Sequence, residues 1–290
     1  MAVPPPPAPP LAFDPPLAAC ALCGGGPLEP YDRDFRGVAI SRCARCGVRC
    51  MNPQYTDAYL AEFYAGYIAA SDGRDDPARV ARRTRAKEAH IADVERFVRP
   101  GRFLAVGVGD GIELDVARRR GWEVVGYDVD PETTAAVARR TGATVWSGDL
   151  LALDIPAASF DAVFMDQVLE HPKNPGAYLQ LCRRILRPGG VLYLGVPNID
   201  SISSRWQSLL GRLGLKRRRG RHYDSWHHLF YYSPASLRRV LERHHGFEVL
   251  LVQGDPGPHE DGAPGRAAAG ALLRRFPNLD SSLRLIARPR

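Results

Sequence analysis

The chain has 290 residues, of which 45% are hydrophobic and 24% are charged. These are the proportions of a globular protein, so they exclude wholesale disorder. No apolar run approaches the ~18 residues that a membrane-spanning helix needs, and the start of the chain lacks the basic and apolar regions of a secretory signal. We therefore expect a cytoplasmic protein, whose net charge of +7 permits phosphates, anionic lipids or nucleic acid as partners without selecting among them.

The N-terminal part is predicted to be a disordered leader followed by a small metal-binding module. Residues 1–19 contain eight prolines, which lack an amide donor and fix φ. Residues 20–55 have too few apolar residues for an ordinary core, but they contain two C-x2-C pairs. In a cytosolic chain such pairs indicate metal binding, with a redox disulfide pair as the alternative. Four thiolates close a tetrahedral Zn2+ site, which we expect to be structural. The predicted ligands are Cys20, Cys23, Cys43 and Cys46.

The rest of the chain is predicted to be a helical connector, 56–99, and an α/β domain, 100–290. The predicted strands cover 103–106, 123–127, 144–146, 160–165, 190–196, 247–252 and 283–287. The predicted helices cover 112–120, 132–140, 175–186 and 234–245, and a short helix follows the loop 254–265. This alternation predicts a doubly wound, mostly parallel sheet covered by helices. Residues 199–232 interrupt it, and we expect them to form a lid.

A glycine-rich loop, 107–111, follows the first of these strands and opens a helix. Glycines let a backbone approach a ligand closely, and a helix N-terminus adds amide donors. The loop alone also fits a plain tight turn, or a nicotinamide or flavin site. Acids follow the next three strands, where ligands of open α/β sheets bind: Asp128, Asp149 and Asp166. Asp128 can accept hydrogen bonds from both hydroxyls of a ribose, and Asp149 from an adenine amino group.

These stretches resemble the class I S-adenosylmethionine-dependent methyltransferases. The resemblance lies in LAVGVGDG (104–111), VVGYDVDPE (124–132), SGDLLALDIPAASFDAVFMDQVLEH (147–171), LRPGGVLYLGVPN (186–198) and SPASLRRVLERHHGFEV (233–249). It implies a Rossmann-like sheet of seven strands and S-adenosylmethionine as the cofactor. The implied cofactor residues are Gly107, Gly109, Gly111, Asp128, Val129, Asp149, Leu150, Asp166 and Gln167. One departure is Ala105, which stands where the family usually has an acid for the ligand's ammonium group. Asp110 or Asp166 can substitute for it.

The cysteine module carries a second resemblance. RCARCGVRCMNPQYTDAYLAEFYAGY (42–67) is similar to the N-terminal zinc-binding extension of bacterial methyltransferases that act on sugars, lipid-linked intermediates or natural products. The implied acceptor is therefore a small molecule or a carrier-linked one.

Histidines supply the candidates for acceptor chemistry, because methyl transfer to oxygen usually needs a base. His171 is the first candidate, since a neutral imidazole suits proton removal near pH 7. Alternatively, Glu170 and His171 only fix a loop. Asp166-x3-Glu170-His171 also resembles the acid-x3-Glu-His cluster of ubiquinone-pathway O-methyltransferases, which implies a possible divalent metal there. His227 and His228, in the predicted lid, can contact the acceptor, act as base or simply pack.

The predicted lid also contains a dense basic run, residues 216–221. It follows apolar residues that can share one helix face: Ile202, Trp206, Leu209, Leu210 and Leu213. An amphipathic helix with a basic end can contact an anionic membrane, pair with a phosphate-bearing acceptor, or be a solvated surface.

We therefore predict an S-adenosylmethionine-dependent methyltransferase with an N-terminal zinc module, acting by O- or C-methylation. The alternatives are a non-catalytic zinc-bearing binding or scaffold protein on the same fold, which Ala105 favours, and a nucleic-acid methyltransferase. The last is less favoured because no recognisable RNA- or DNA-binding motif accompanies the basic run. The sequence does not define the oligomeric state.

Overall fold

The computed structural model describes residues 11–69, 76–213, 215, 220, 223, 225–255 and 276–290. Its strands are β1 (Leu28–Arg33), β2 (Ala39–Cys43), β3 (Arg49–Met51), β4 (Arg102–Val106), β5 (Glu123–Tyr127), β6 (Thr144–Trp146), β7 (Phe160–Asp166), β8 (Leu186–Pro197), β9 (Phe230–Tyr231), β10 (Phe247–Asp255) and β11 (Ser282–Pro289). Its helices are α1 (Asp57–Ala69), α2 (Pro77–Glu95), α3 (Ile112–Arg119), α4 (Pro131–Thr141), α5 (Pro175–Ile185), α6 (Ile202–Arg212) and α7 (Pro234–His244).

Seven of these strands form the central sheet, in the order β10-β11-β8-β7-β4-β5-β6. The strands from β8 to β6 pair in parallel, and β11 is antiparallel to both β8 and β10. The predicted Rossmann-like, mostly parallel, seven-stranded sheet is confirmed. Chain order reverses between β4 and β7, so the crevice for a ligand should open at the carboxyl ends of these two strands.

The central strands form because both faces of the sheet are covered. In β4, Leu104 and Val106 pack into one hydrophobic cluster, whereas Phe103 and Ala105 pack into another on the opposite face. A parallel strand that is buried on both faces has a continuous apolar sequence, and this pattern predicts β4 clearly. The face that contains Phe103 packs against Ile91 and Val94 of α2, so α2 lies over the sheet next to the glycine loop.

A second sheet joins the N-terminal module to the predicted lid. Its order is β1-β2-β3-β9, and all its pairs are antiparallel. Arg49 pairs with Tyr231, and Cys50 with Phe230. The module therefore shares a strand with residues some 180 positions away in the chain, rather than standing apart from the lid.

The described part of the proline-rich leader, residues 11–19, contacts the cysteine module. Phe13 forms an isolated bridge with Tyr55, and their rings stack at a centroid distance of 5.2 Å. The Leu17 N–H donates to Asn52 Oδ1 at 2.7 Å. Residues 11–19 thus lie against the module because an aromatic side chain and backbone groups find partners there. Residues 1–10 lie outside the described residues.

The predicted lid begins with helix α6, on which several apolar side chains are exposed: Ile202, Trp206, Leu209 and Leu213. Residues 216–219 and 221 of the basic run lie outside the described residues, as does the short helix predicted after 254–265. Among the described helices, none has the length and apolar character that crossing a bilayer requires.

Candidate active site

The glycine loop joins β4 to α3 with a backbone that glycine adopts readily. Gly107, Gly109 and Gly111 have φ angles of 76°, 49° and 72°. A Cβ atom at Gly107 would lie 2.5 Å from Val168 Cγ2, whereas one at Gly109 would meet nothing within 4 Å. The loop therefore packs closely on the turn after β7 and has open space at Gly109, as a ligand-binding backbone requires.

Asp128 fastens this loop to the end of β5. Its Oδ2 accepts a hydrogen bond from the Gly109 N–H at 3.0 Å, and its Oδ1 accepts one from the Asp130 N–H at 3.3 Å. The neighbouring Val129 side chain is 60% exposed. A carboxylate beside an exposed apolar side chain suits a ligand that combines hydroxyl groups with a flat apolar part, as adenosine does.

Asp149 and Leu150 follow β6. The exposed Asp149 carboxylate accepts from the Leu151 N–H at 2.9 Å and caps a short 3-10 turn, Leu150–Ala152. Leu150 is buried, and its N–H donates to the Tyr127 hydroxyl at 3.2 Å. Asp149 is thus a helix cap, and it also remains open to a ligand at the carboxyl end of β6.

Asp166 lies at the end of β7, but its carboxylate is engaged by α2. It accepts a hydrogen bond from Lys87 Nζ at 2.8 Å, and its Oδ2 lies 3.3 Å from His90 Nδ1. Burial alone would raise the pKa of Asp166, but attraction to Lys87 and the hydrogen bond from His90 outweigh it and hold that pKa well below its usual range. Its predicted contact with a cofactor therefore remains a prediction.

Asp110, the other substitute for the acid missing at Ala105, is also paired with α2. Both terminal nitrogens of Arg83 donate to its carboxylate. Sequence reasoning missed Lys87, His90 and Arg83 as residues of this region. The sequence of α2 contains four arginines and one lysine, and nothing in their spacing separates the buried ones from the solvated ones.

A tight turn follows β7 and carries the predicted acceptor-side residues. Gln167 is exposed and has a φ of 60°, and the His171 N–H donates to the Val168 carbonyl at 3.0 Å. Glu170 has no exposed surface, and neither of its carboxylate oxygens has a hydrogen-bond partner among the described residues. Burial raises the pKa of Glu170 to about 8. The turn thus presents a buried carboxyl group next to His171.

The structure brings the three predicted histidines together. One ring nitrogen from each of His171, His227 and His228 lies within 4.8 Å of the others. Backbone hydrogen bonds hold the two segments in place, since the Glu170 carbonyl accepts from the Leu229 N–H at 2.8 Å and the Phe230 N–H at 3.1 Å. Burial lowers the pKa of each of the three imidazoles to about 3, so all three are neutral at pH 7.

Asp166, Glu170 and His171 do not form a cluster of potential metal ligands among the described residues, and the divalent metal suggested there stays a prediction. Asp166 is bound to Lys87, and the described residues whose potential ligand atoms cluster are the three histidines and, separately, four cysteines. The separation follows from the sheet: Asp166 ends β7 facing α2, whereas Glu170 and His171 follow the turn toward the inserted segment.

Most aromatic residues of the predicted lid pack inside the protein. Tyr223, Phe230 and Tyr231 are buried. The Tyr223 hydroxyl donates to Asp32 Oδ2 at 3.1 Å, and β9 pairs with β3. These residues attach the segment to the N-terminal module, which leaves His227 and His228 facing His171.

The four predicted zinc ligands form a buried cluster. Cys20 Sγ lies 3.8 Å from Cys46 Sγ, and Cys23 Sγ lies 3.7 Å from Cys43 Sγ. A tetrahedral site with Zn–S bonds of about 2.3 Å has sulfur–sulfur edges of about 3.8 Å. The four thiols are therefore spaced as zinc ligands and too far apart to be disulfides. The close pair of thiols shares one hydrogen bond, which lowers the pKa of Cys20 and raises that of Cys46.

Glycines shape both knuckles of this cluster. Gly24 and Gly47, each directly after the second cysteine of a pair, have φ angles of 71° and 79°. Gly26 was missed: a Cβ atom there would clash with Cys43 Sγ and lie 3.2 Å from Cys23 Sγ. Gly26 is needed because the cysteine sulfurs pack closely against its backbone, and not because of an unusual φ. A sequence pattern does not reveal such a contact.

Comparison with known proteins agrees with this geometry. Residues 79–252, more than half of the chain, match the family described as "Methyltransferase domain". A Mycolicibacterium smegmatis protein named "Probable S-adenosylmethionine-dependent methyltransferase" is 41% identical over 100 residues, which cover 33% of this chain and 37% of that protein. A Cereibacter sphaeroides protein named "Ubiquinone biosynthesis O-methyltransferase" is 35% identical over 102 residues, covering 33% of this chain and 41% of that one. The chain thus spans about two fifths of the length of these curated relatives.

Among solved structures, one chain of the complex between the Haloferax volcanii Trm112 methyltransferase activator and a methyltransferase has the same fold. Its TM-score is 0.54 at 21% identity, over 78% of this chain and 98% of that chain. The family match begins after the cysteine module and covers most of the central sheet together with the inserted segment that contains α6 and β9.

Proposed function

The chain belongs to the methyltransferase domain family, and from that premise we propose that it binds S-adenosylmethionine and transfers the methyl group to a small or carrier-linked acceptor. The observation that carries this proposal is the hydrogen bond from the Gly109 N–H to Asp128 Oδ2. Gly109 itself faces open space, where a ligand could lie against the loop. A loop held in this way at the switch point of a parallel sheet suits the binding of a nucleoside.

Each cofactor contact has a proposed residue. Asp128 binds the ribose hydroxyls, Val129 and Leu150 border the adenine, and Asp149 accepts from its amino group. The glycine loop lies along the methionine part. Position 105 offers no carboxylate, so backbone carbonyls and Asp166 or Asp110 must bind the ammonium group of the cofactor. Each of these carboxylates also keeps its pairing with a basic side chain of α2.

When bound, S-adenosylmethionine supplies a methyl group already activated by a sulfonium, so the protein mainly aligns the acceptor and excludes water. His171 is three residues beyond Val168, which packs against Gly107. We propose that Glu170, His171, His227 and His228 form the acceptor side of the site. The neutral imidazoles each have a lone pair for the acceptor's proton or for a cation.

We propose oxygen rather than carbon as the acceptor atom, since several relatives are named O-methyltransferases. We also propose peripheral contact with an anionic membrane, which would bring a lipid-linked acceptor within reach. The support is α6, whose exposed apolar side chains lie on one face, with the basic run following it in the sequence.

A non-catalytic binding protein on the same fold is the second candidate. The observation that favours it is Ala105, buried where a carboxylate would be expected to help hold the cofactor. Such a protein would bind S-adenosylmethionine weakly or not at all and would transfer no methyl group.

Labelled methyl transfer tests the proposal and the acceptor class together. The protein is incubated with methyl-labelled S-adenosylmethionine and a bacterial extract, which is then separated into solvent-extractable, small water-soluble, nucleic-acid and protein fractions. We expect label in one of the first two fractions, and none with Asp128→Ala. Label in nucleic acid or protein would overturn the acceptor class, and label nowhere would favour the binding protein.

A further inference from the structure

The histidine cluster contains more metal-binding groups than a single base requires. Ring nitrogens of His171, His227 and His228 lie within 4.8 Å of one another, and His171 Nε2 lies 3.9 Å from Glu170 Oε1. Zinc with Zn–N bonds of about 2.0–2.1 Å holds two imidazole nitrogens roughly 3.4 Å apart. Small side-chain rotations would therefore suffice to bring the three nitrogens onto one ion.

Glu170 is the second observation that points to a cation. Its side chain has no exposed surface, and both carboxylate oxygens lack a hydrogen-bond partner among the described residues. Burying an ionised carboxylate without a partner is costly, and the group then either stays protonated or acquires a cation. The three side chains clustered next to it are imidazoles, each of which can offer a nitrogen lone pair to a cation.

The surroundings hold the ligands in place. The ring of Phe63 in α1 stacks on His227 at a centroid distance of 5.0 Å, and Tyr64 meets His171 edge-on at 6.1 Å. The Met51 N–H donates to the Leu229 carbonyl at 2.9 Å, which ties the segment after His228 to β3. The histidines thus come from the turn after β7 and from the inserted segment, and rings of α1 pack against them. Packing of this kind orients metal ligands.

We propose that His171, His227 and His228 bind one first-row transition-metal dication of the Zn2+, Fe2+ or Co2+ kind, and that the buried Glu170 carboxylate beside His171 compensates its charge. Imidazole nitrogens suit these ions, whereas Mg2+ and Ca2+ prefer oxygen ligands. Two of the three ligands come from the inserted segment, so this site differs from the Asp166-x3-Glu170-His171 arrangement. It is also distinct from the closed four-cysteine cluster.

Cobalt titration tests the proposal on the full chain with zinc in the four-cysteine cluster. Cobalt bound by imidazole nitrogens absorbs visible light weakly, whereas thiolate ligation adds a strong charge-transfer band, so the two sites are distinguished. We expect one cobalt ion per chain to bind without that band, while elemental analysis shows that the zinc is retained. Absence of cobalt binding by the wild type would overturn the site, and this result depends on no variant.

Variants then locate the ion. His228→Ala and Glu170→Gln should each weaken cobalt binding about tenfold or more, because even the partners that orient a ligand are worth ten- to hundredfold. His244→Ala, which removes a histidine of α7 remote from the cluster, should change nothing. Equal cobalt affinity in all three variants would show adventitious binding and overturn the proposal. Because the readout is bound metal, it is independent of S-adenosylmethionine binding measured on the same samples, so either proposal can fail alone.

Discussion

Asp166 keeps its negative charge in a buried position because Lys87 and His90 surround its carboxylate. His90 bridges to a second acid, with its Nε2 3.1 Å from Asp255 Oδ2. Lys87 also lies 3.6 Å from Glu113 Oε2. These pairs tie α2 to the ends of β7 and β10 and to α3. They therefore stabilise the side of the proposed cofactor site where Ala105 offers no carboxylate.

Lys87→Met should destabilise the protein by about 3–5 kcal/mol near pH 7, because it leaves a buried carboxylate without its main partner. In the wild type the folded pKa of Asp166 is depressed, so its stabilisation is present above the ordinary pKa of about 3.9 and is lost only as pH falls through the folded value. In the variant that pKa should rise, so the loss should be smaller at pH 4 than at pH 7. Urea unfolding at the two pH values measures this.

Lys173→Met is the matched control. Lys173 pairs with Asp14 and Asp57 at the surface, so its loss should cost under about 1 kcal/mol at either pH. Equal free energies of unfolding for the two variants would contradict the proposed role of Lys87.

His171→Ala should lower the turnover number about a hundredfold or more, whether the imidazole takes a proton or holds a cation, because either role acts on the acceptor's reactive atom. The affinity for S-adenosylmethionine should stay unchanged, since no proposed cofactor contact involves this ring. Single-turnover methyl transfer and calorimetry on the same preparation separate the two quantities. A fall in cofactor affinity with unchanged turnover would assign His171 to the cofactor pocket instead.

At the scale of elements, the pairing of β3 with β9 connects the cysteine module to the proposed acceptor side of the site. Cys50 of β3 pairs with Phe230 of β9, and His228 lies two residues before Phe230. The module lies far from this segment in sequence, but the pairing of β3 with β9 places the two side by side. The module therefore holds the segment that contains two of the candidate acceptor residues.

Cys43→Ser should reduce the zinc held by the four-cysteine cluster from about one ion per chain to none, since a structural tetrahedral site needs all four ligands. Because metal binding energy is folding energy in such modules, amides of β3 and β9 should then exchange hydrogen much faster, while those of β4 and β7 stay protected. Exchange mass spectrometry measures this. Cys182→Ser, at a buried cysteine of α5 outside the cluster, is the control. Unchanged hydrogen exchange in β9 after zinc loss would contradict the claim that the module holds the predicted lid in place.

The sequence predicts some levels of this structure better than others. The strands of the central sheet are apolar runs buried on both faces, and this pattern predicts them. The spacing of the two C-x2-C pairs likewise predicts a four-thiolate cluster. The two-residue strand β9 has no pattern of its own, and its partner lies some 180 residues earlier. Lys87 and His90 likewise look like surface residues of a basic helix, because only the tertiary fold brings Asp166 to them.

At the scale of the whole molecule, the positive charge and the exposed face of α6 bear on where the protein works. Trp206 is 59% exposed, and the apolar residues of this face recur at four- and three-residue steps. Exposed apolar residues arranged in this way beside basic ones suit the surface of an anionic bilayer.

Sedimentation with lipid vesicles tests that surface. The protein should bind vesicles containing anionic lipid more tightly than neutral ones. Arg217→Gln, Arg218→Gln and Arg219→Gln together should weaken this binding by about 3 kcal/mol, at about 1 kcal/mol for each arginine near the surface. The difference should shrink at high salt. Arg238→Gln, Arg239→Gln and Arg243→Gln on α7 form the matched triple control. If both triples behave alike, the basic run is a solvated surface.

Calorimetric titration with S-adenosylmethionine tests the central claim most directly. The wild type should bind the cofactor, and Asp128→Ala should bind it at least about tenfold more weakly, because hydrogen bonds to a charged acceptor are worth roughly 1.5–3 kcal/mol each. Glu123→Ala is the control, since it removes an exposed carboxylate from the opposite end of the same strand, and its affinity should equal that of the wild type. A wild type that binds no S-adenosylmethionine, or an Asp128→Ala variant that binds it equally well, would contradict the account.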